Sequence, residues 1–438
     1  MATDTNVYIK GLPLSHAGLF RKLDARVLGF LVVCYALAYV DRINIGFAKL
    51  QMQRDLALSD AVYGLGAGIF FLGYVLFEIP SNLLLVRIGA RKTLARIMML
   101  WGLASASMCF VSSTTSFYAL RFLLGVFEAG FAPGMIFYLS YWYPKERMAR
   151  AVALVLAAAP IGGIVAGPLS GWVMTSLSGT HGLAGWQWLF ILEGVPAALL
   201  GIVALFWLKD SPDAAPWLSA QERASLKGLA APAIPERSAY RSLPAVLCNA
   251  SIYRLAAAYF CLICGLYAIG FWLPAILKAT GLQSVLQIGL YSAVPYIAAA
   301  VSMYALARSS DRNKERHRHA AVAAAVSAAT LAVATIYLKQ FGIAFVAITI
   351  ATGAMFAAYS VFWAIPHDML SGPTAAGGIA FINTLGLFGG FLSPTMIGWV
   401  KTLTGHTETG LFVIAGLLVL GALLLYTPVK PLVGAKLL

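Results

Sequence analysis

Twelve apolar runs, most of them 20 residues or longer, follow one another along this 438-residue chain. A helix of about 20 mostly apolar residues crosses the hydrocarbon core of a bilayer and satisfies its backbone hydrogen bonds internally. Charged residues make up only 11% of the chain, whereas ordinary soluble domains carry about 25%. The sequence therefore predicts an all-α membrane protein with twelve transmembrane helices. The predicted spans are 25–47, 60–86, 93–111, 116–140, 147–175, 186–208, 251–279, 285–307, 318–338, 342–366, 374–403 and 408–428.

The longest polar stretch divides the chain into two sets of six spans. Residues 209–250 contain five prolines and scattered charges, which is typical of a surface loop. We therefore expect an N-terminal six-helix half at 1–208, a cytoplasmic linker loop at 209–250 and a C-terminal six-helix half at 251–438. Within the loop, Ser219 and Glu222 match a capping box, which predicts a short surface helix.

The net charge of +14 is better explained by orientation in the membrane than by nucleic-acid binding. Of the 31 Lys and Arg residues, five fall in the outer loops when the N-terminus is placed inside, and two lie within spans. The other basic residues cluster in the inner loops, inner helix ends and tails, and such clusters mark the cytoplasmic side. We therefore expect both termini in the cytoplasm and the chain in the inner membrane. The outer-loop residues in this count are Lys49, Arg54, Lys278, Lys339 and Lys401.

Four charged side chains lie inside predicted spans and are the strongest candidates for function. Asp41 and Arg42 belong to span 1, and Arg121 and Glu128 belong to span 4. A charge at the centre of a spanning helix costs about 2.5 to 3.5 kcal/mol on insertion scales, so such residues usually face an internal cavity. Adjacent side chains on a helix point about 100° apart, so at most one of the first pair faces straight into a cavity. Residues seven apart share a face but are too distant for a direct pair.

The chemistry of these residues suits the binding of an anion and of protons. A guanidinium presents a fork that matches the two oxygens of a carboxylate, and a mid-membrane glutamate suits proton binding because desolvation favours the neutral acid. Structural alternatives stay open: Arg42 snorkelling to the outer interface with Asp41 paired to it, and Arg121 and Glu128 as members of buried ion pairs. Glu78 and Glu193 are weaker candidates, for which a structural or gating role is as good an interpretation.

The remaining motifs indicate packing rather than catalysis. The run from Gly163 to Gly171 has the spacing G-x-x-x-G-P-x-x-G, which suits close helix packing, either static or at a moving interface. Cys261 and Cys264 lie in an apolar helix and are expected to pack there rather than to bind a metal. No glycine loop for phosphate, zinc spacing or Ser/His/Asp set is present in the sequence. We therefore predict no enzyme activity, metal or cofactor.

Four stretches together resemble the anion:cation symporter family of the major facilitator superfamily, and the resemblance covers nearly the whole chain. The chain is most similar to the bacterial tartrate and 4-hydroxyphenylacetate permeases within that family. A weak repeat of Gly-Trp-Val at 171–173 and 398–400 agrees with the plan of two six-helix halves around a central cavity. The four stretches are 41–47 (DRINIGF), 77–82 (FEIPSN), 121–131 (RFLLGVFEAGF) and 185–194 (GWQWLFILEG).

The resemblance implies proton-driven uptake of a small carboxylate by a monomer in the lipid bilayer, with alternating access and with the proton as coupling ion. It implies that the acids at Asp41 and Glu128 carry protons, that Arg121 binds the substrate carboxylate, and that Arg42 tunes its acidic neighbour. The further positions that it assigns to the substrate site are Tyr39, Tyr74, Trp363 and Asn383.

The substrate itself stays open at this point. A hydroxy dicarboxylate such as tartrate is favoured, and aromatic acids (4-hydroxyphenylacetate or phthalate-like) and sugar acids are alternatives. Residues 151–169 contain no polar side chain, whereas sugar-acid members of the family have a glutamine in span 5. Val86 stands where the superfamily usually has an aspartate before Arg87, although Asp311 keeps that feature in the second half, so we expect an asymmetric latch. A transporter-like anion sensor is the rival from another class.

Overall fold

The computed structural model describes residues 8–9, 12–13, 17–229, 249–370 and 373–428. Twelve of its helical segments are long and apolar enough to cross a membrane, so the predicted fold class and span count are confirmed. Two-residue strands, β1 (Tyr8–Ile9) and β2 (Leu12–Pro13), pair antiparallel ahead of the first span. Spans 1 to 12 are Gly18–Asp55, Asp60–Leu85, Ala90–Phe110, Thr114–Ser140, Glu146–Ser176, Gly185–Trp207, Ala250–Ala279, Val285–Asn313, His317–Ile336, Phe341–Met369, Gly377–Thr404 and Thr407–Tyr426.

Span 1 is longer than predicted because polar residues beyond the apolar run stay helical. Its last helix, Gly29–Asp55, carries Lys49, which is only 3% exposed. The Lys49 ammonium lies 2.7 Å from the carboxylate of Asp60 at the start of span 2. The assignment of Lys49 to an outer loop was therefore wrong: a buried ion pair extends the helix past the point where hydropathy falls.

Two spans are interrupted near residues that the sequence marked as functional. Span 4 consists of Thr114–Glu128 and Phe131–Ser140, and Gly130 between them has φ +84°, a left-handed conformation that favours glycine. In span 10 the helix breaks at Trp363. Interrupted backbone at membrane depth is tolerated where it is buried in protein or lines a cavity. Glu128 and Trp363 thus lie at irregular points of their helices.

The first six and last six spans meet closely at the end of the bundle that holds connections 56–59, 177–184, 280–284 and 405–406, which we call the closed end. A Cβ atom added to Gly64 of span 2 would lie 2.4 Å from the carbonyl oxygen of Pro394 in span 11. A Cβ atom added to Gly167 of span 5 would lie 2.5 Å from the carbonyl oxygen of Gly289 in span 8. Glycines therefore let these helix pairs approach backbone to backbone, as the glycine spacing of span 5 predicted.

A polar cluster joins four spans at the closed end. The Asp60 carboxylate pairs with the Lys49 ammonium and also lies 3.1 Å from the ammonium of Lys401 in span 11. The Lys49 ammonium also lies 3.3 Å from the ring centroid of Trp272 in span 7, a cation–π geometry. Tyr63 donates a 2.8 Å hydrogen bond to the backbone carbonyl of Phe271. Charge pairing thus adds to the glycine packing.

Ion pairs at the opposite, basic end differ between the two halves of the chain. Arg91 lies 3.0 Å from Asp210 in the first half. In the second half, Arg316 contacts Asp311 and lies 3.7 Å from Asp368. The asymmetry expected from Val86 remains a prediction, because the side chain of Val86 is outside the described part of the structure.

The linker begins with the predicted capped helix. Helix Ala220–Leu229 follows Ser219, whose backbone N–H donates to Glu222 at 2.8 Å while the Glu222 N–H donates back to the Ser219 hydroxyl at 3.2 Å. This reciprocal pair is a capping box, and that prediction is confirmed. Residues 230–248 lie outside the described residues, so the division at 1–208, 209–250 and 251–438 stays a prediction.

Substituting Gly64 with alanine should destabilise the protein, because the new methyl group meets backbone atoms of Pro394 and Gly398 that cannot turn aside. Overpacking of this kind costs about 1 to 3 kcal/mol, which thermal unfolding of the detergent-purified protein would register as a lower midpoint. Gly416→Ala is the matched control, since no atom lies within 4 Å of its added Cβ. Equal midpoints for the two variants would contradict the packing argument.

Candidate functional site

An ion pair between Arg42 of span 1 and Glu128 of span 4 lies at the centre of the bundle. The Arg42 Nη2 and Glu128 Oε1 atoms are in direct contact. Arg42 Nη1 donates a 3.0 Å hydrogen bond to the hydroxyl of Tyr267 in span 7, so the pair reaches both sets of six spans. The Arg42 side chain is 13% exposed and the Glu128 side chain 1%. The Arg42 side chain is thus partly accessible to solvent, and we call the accessible space beside it the opening, whereas the Glu128 carboxylate is buried.

Aromatic rings surround the Arg42 guanidinium. Its carbon lies 5.5 Å from the ring centroid of Phe70 and 5.8 Å from that of Tyr74, both in span 2. Tyr35 and Tyr359 lie close enough to interact with it electrostatically. The site therefore combines one accessible cation with several ring faces and phenol hydroxyls.

Asp41 points away from this opening. Its carboxylate accepts a 2.9 Å hydrogen bond from the indole N–H of Trp101 and a further one from the Ser105 hydroxyl, both in span 3. Asn44 donates to it at 3.2 Å, and Asp41 is 1% exposed. The predicted divergence of Asp41 and Arg42 around the helix is thus observed. The alternative of Arg42 snorkelling beside Asp41 is wrong, because Arg42 pairs with Glu128.

Arg121 is fully buried and does not contact Glu128. Its Nε and Nη2 donate to the backbone carbonyls of Gly66 and Ala67 in span 2, at 3.1 and 3.3 Å, and its Nη1 atom has no hydrogen-bond partner. The Arg121 guanidinium is thus directed at two consecutive backbone carbonyls of span 2. The structure thus presents Arg42, rather than Arg121, at the accessible site.

The other predicted site residues lie on several spans. Tyr39 is partly exposed, and its ring centroid lies 6.1 Å from that of Tyr296 in span 8. Trp363 packs at 4.8 Å against Tyr259. Asn383 donates a 3.3 Å hydrogen bond to Glu78, which links span 11 to span 2. Tyr74 thus lies beside Arg42, Tyr39 and Trp363 contact other aromatic rings, and Asn383 takes part in a contact between the two sets of spans.

Two features of this region were not predicted from the sequence. Tyr267 is not among the predicted site residues, yet its hydroxyl accepts the Arg42 hydrogen bond. The buried Lys49 was assigned to a loop, although a lysine three residues after Gly46, on a helix that crosses close to span 7, could have signalled an interior partner. Both features depend on which helix lies opposite span 1 or span 7. A single sequence does not reveal these neighbours.

Metal-binding geometry is absent from the described residues. No group of three or more His, Cys, Asp or Glu side chains among them is placed to hold a metal ion. Cys261 and Cys264 are free and buried, in keeping with packing in span 7. The fifth cysteine, Cys248, lies outside the described residues.

The sequence profile of the Major Facilitator Superfamily matches residues 31–394. The chain belongs to the major facilitator superfamily. Two proteins of Agrobacterium vitis described as candidate tartrate transporters are each 47% identical to it, over 92% and 93% of this chain and 93% and 90% of their own lengths. The metabolite transport protein NicT of Pseudomonas putida is 42% identical over 93% of each chain. The protein is therefore a multi-pass membrane transporter and not an enzyme.

Solved structures of the superfamily share the fold. A bacterial homologue of the human lysosomal transporter Spinster, in an inward-facing and unoccupied conformation, superposes with a TM-score of 0.74 at 18% identity, over 92% of this chain and 96% of that one. The D-xylose–proton symporter superposes with a TM-score of 0.71 at 15% identity, over 94% and 98% of the two chains. At these identities the likeness concerns the fold alone.

Replacing Arg42 with glutamine should destabilise the protein strongly, because the carboxylate of Glu128 would lose its counter-charge in a buried site. Breaking a buried pair from one side costs about 3 to 5 kcal/mol. The double variant Arg42→Gln with Glu128→Gln should recover much of that loss, which thermal unfolding of all four proteins in a double-mutant cycle would measure. Arg54→Gln is the control, since its side chain is 85% exposed. Additive losses in the double variant would contradict the pairing.

Proposed function

We propose that this transporter imports a small organic anion together with protons by alternating access, and that a hydroxy dicarboxylate such as tartrate is the favoured substrate. The Arg42–Glu128 pair, partly exposed and in contact with both sets of spans, is the observation that carries the proposal. The two relatives described as candidate tartrate transporters support the choice of substrate.

Charge balance at the Arg42–Glu128 pair supplies a reason why proton binding and anion binding are coupled. While Glu128 is ionised it occupies the Arg42 guanidinium. A proton on Glu128 neutralises the acid and frees the guanidinium, whose fork then binds a carboxylate of the substrate. With one carboxylate bound, the site holds no net charge before or after, which matters because an uncompensated buried charge is costly. One proton would thus enter with a monocarboxylate, and the second carboxylate of tartrate would call for a second proton.

The two sets of spans would alternate around this site. With both termini in the cytoplasm, the closed end faces the outside, so this conformation is open toward the cytoplasm. Opening the other side requires Lys401 and Trp272 to separate from Asp60 and Lys49. We place the protein in the cytoplasmic membrane as a monomer.

The other residues take supporting roles in this proposal. Tyr39, Tyr74, Trp363 and Asn383 line the path of the substrate. Arg121 remains a candidate carboxylate ligand for a conformation in which it leaves the backbone carbonyls of span 2, whereas the geometry of the present conformation favours Arg42. Asp41 is proposed as a second proton carrier behind the substrate site.

An aromatic acid is the second candidate substrate, and the ring faces around Arg42 favour it. Tyr35, Tyr359 and Trp363 are partly exposed and offer surfaces against which a substrate ring would stack, while Arg42 takes its single carboxylate. A thermal-shift comparison of tartrate, 4-hydroxyphenylacetate, phthalate and galactonate on the purified protein separates the two candidates. A larger shift with 4-hydroxyphenylacetate than with tartrate would make the aromatic acid the favoured substrate.

Uptake of labelled tartrate into proteoliposomes should depend on a pH gradient, acidic on the side from which tartrate is taken up. Glu128→Gln should lose this driven uptake and keep tartrate counterflow, because a neutral amide frees Arg42 permanently and binds no proton. Glu146→Gln, at an exposed position, is the control and should behave like the wild type. Wild-type uptake that ignores the gradient would refute proton coupling, and binding with no uptake at all would favour the anion sensor.

Replacing Arg42 with lysine should weaken tartrate binding at least tenfold while preserving the positive charge. A lysine ammonium is a point charge that cannot reproduce the bidentate fork, and a charged hydrogen bond contributes roughly 1.5 to 3 kcal/mol, where about 1.4 kcal/mol is tenfold in affinity. Titration calorimetry measures the change, with the exposed Arg54→Lys as control. Unchanged affinity would reassign the carboxylate contact to Arg121.

A further inference from the structure

Glu193 of span 6 is a buried carboxyl group that the proposed function does not use. It is 1% exposed, and its Oε1 atom accepts a 3.4 Å hydrogen bond from the Ser170 hydroxyl in span 5. Its Oε2 atom has no hydrogen-bond partner. The ion pairs found among the described residues include neither Glu193 nor Asp41. Among the described residues these two acids, like the buried Glu78, thus lie in the protein interior without a cation in contact.

One amide side chain connects these two acids. Asn44 follows Asp41 by three residues on the same face of span 1, and its Nδ2 atom donates to Asp41 at 3.2 Å. The Asn44 side chain also lies near Glu193, and Asp41 acts electrostatically on Glu193. Asn44 itself is completely buried. In such a water-poor site two negative charges repel each other strongly, so the protonation of one acid must depend on that of the other.

Asp41 accepts more hydrogen bonds than Glu193 does. Asp41 accepts from Trp101, Ser105 and Asn44, and three donors can support a carboxylate without a cation. Glu193 has only the long bond from Ser170 at one oxygen, and its other oxygen stays unpartnered. Glu193 is therefore the acid that needs a proton in this conformation.

Glu193 lies where span 6 packs tightly against span 3. The following residue, Gly194, lies so close to span 3 that an added Cβ would be 2.4 Å from the backbone nitrogen of Ala106. Among the groups facing Glu193 from spans 1, 3 and 5, Asp41 is the charged one that acts on it. Asp41 is in turn adjacent to Arg42 in the chain, so a movement of span 1 that alters the Arg42–Glu128 pair also moves Asp41.

We propose that Asp41, Asn44 and Glu193 form a second proton-binding site, distinct from Glu128, in which the two carboxyl groups take up and release protons as a coupled pair. The inference rests on the proposed proton symport and adds Glu193 to it as a proton-binding residue. The step involves only a proton, which adds to a carboxylate oxygen and leaves again to water when the site opens.

Infrared difference spectroscopy during a pH titration of the purified full-length protein tests this site without any substrate, because protonated carboxyl groups have a distinct C=O stretch. Glu193→Gln should lose one carboxyl band, and Asp41→Asn should shift the midpoint of the Glu193 band toward lower pH, since the negative charge beside Glu193 is gone. Glu146→Gln should leave the buried bands unchanged. A Glu193→Gln spectrum identical to that of the wild type would overturn the proposal.

Two other variants keep the test decisive if Glu193→Gln fails to fold. Asp41→Asn should shift the band of Glu193, and Asn44→Ala should change the midpoints of both acids. Asp41→Asn spectra in which every other carboxyl band keeps its midpoint would overturn the coupling.

Transport then separates this inference from the proposed function. In proteoliposomes with labelled tartrate, the wild type should take up more protons per tartrate than Glu193→Gln, by one. An equal ratio in the two proteins would overturn the role of Glu193 while leaving symport intact. Tartrate uptake without any proton flux in the wild type would refute symport, and the infrared titration would still decide whether Glu193 and Asp41 bind protons together.

Discussion

The cost of an isolated charge in a medium that excludes water governs this structure. Arg42 and Glu128 come from different helices and neutralise each other where neither side chain is well solvated. Neither charge is stable alone at that depth, so every event at the site must exchange one compensating charge for another. Span 4 is interrupted directly after Glu128. Irregular backbone at this depth is tolerated where it is buried in protein or lines a water-filled cavity, so the interruption is compatible with the position of the ion pair.

One helix connects the parts of the molecule that have to act together. Span 1 contributes Arg42 to the ion pair with Glu128, Asp41 and Asn44 to the group of buried polar side chains, and Lys49 to the polar cluster at the closed end. Between them, a Cβ added to Gly46 would lie 2.9 Å from a backbone carbonyl of span 7, so the helix is held tightly against the second set of spans. Because these residues share one rigid helix, a tilt of span 1 changes all three places at once.

Hydropathy predicted the spans well because each helix must supply its own apolar length to the bilayer. Hydropathy failed at Lys49. This residue is buried because it pairs with Asp60, not because it is apolar. The sequence also identified Asp41, Arg42, Arg121 and Glu128 as unusual, and helical geometry gave their relative directions. It could not choose their partners, since the meeting of Arg42 with Glu128 and of Arg121 with span 2 carbonyls depends on which helices are neighbours.

The number of accessible cations links the substrate class to the number of protons. Among the described residues around the opening, Arg42 supplies the guanidinium that is partly exposed, while Arg121 is occupied by backbone carbonyls. An aromatic monocarboxylate would therefore need only the proton on Glu128 to keep the site neutral. A dicarboxylate brings a second negative charge, which must be balanced by a second proton. On the proposed function, tartrate transport therefore uses a second proton-binding group, and the proposed pair of Asp41 and Glu193 supplies it.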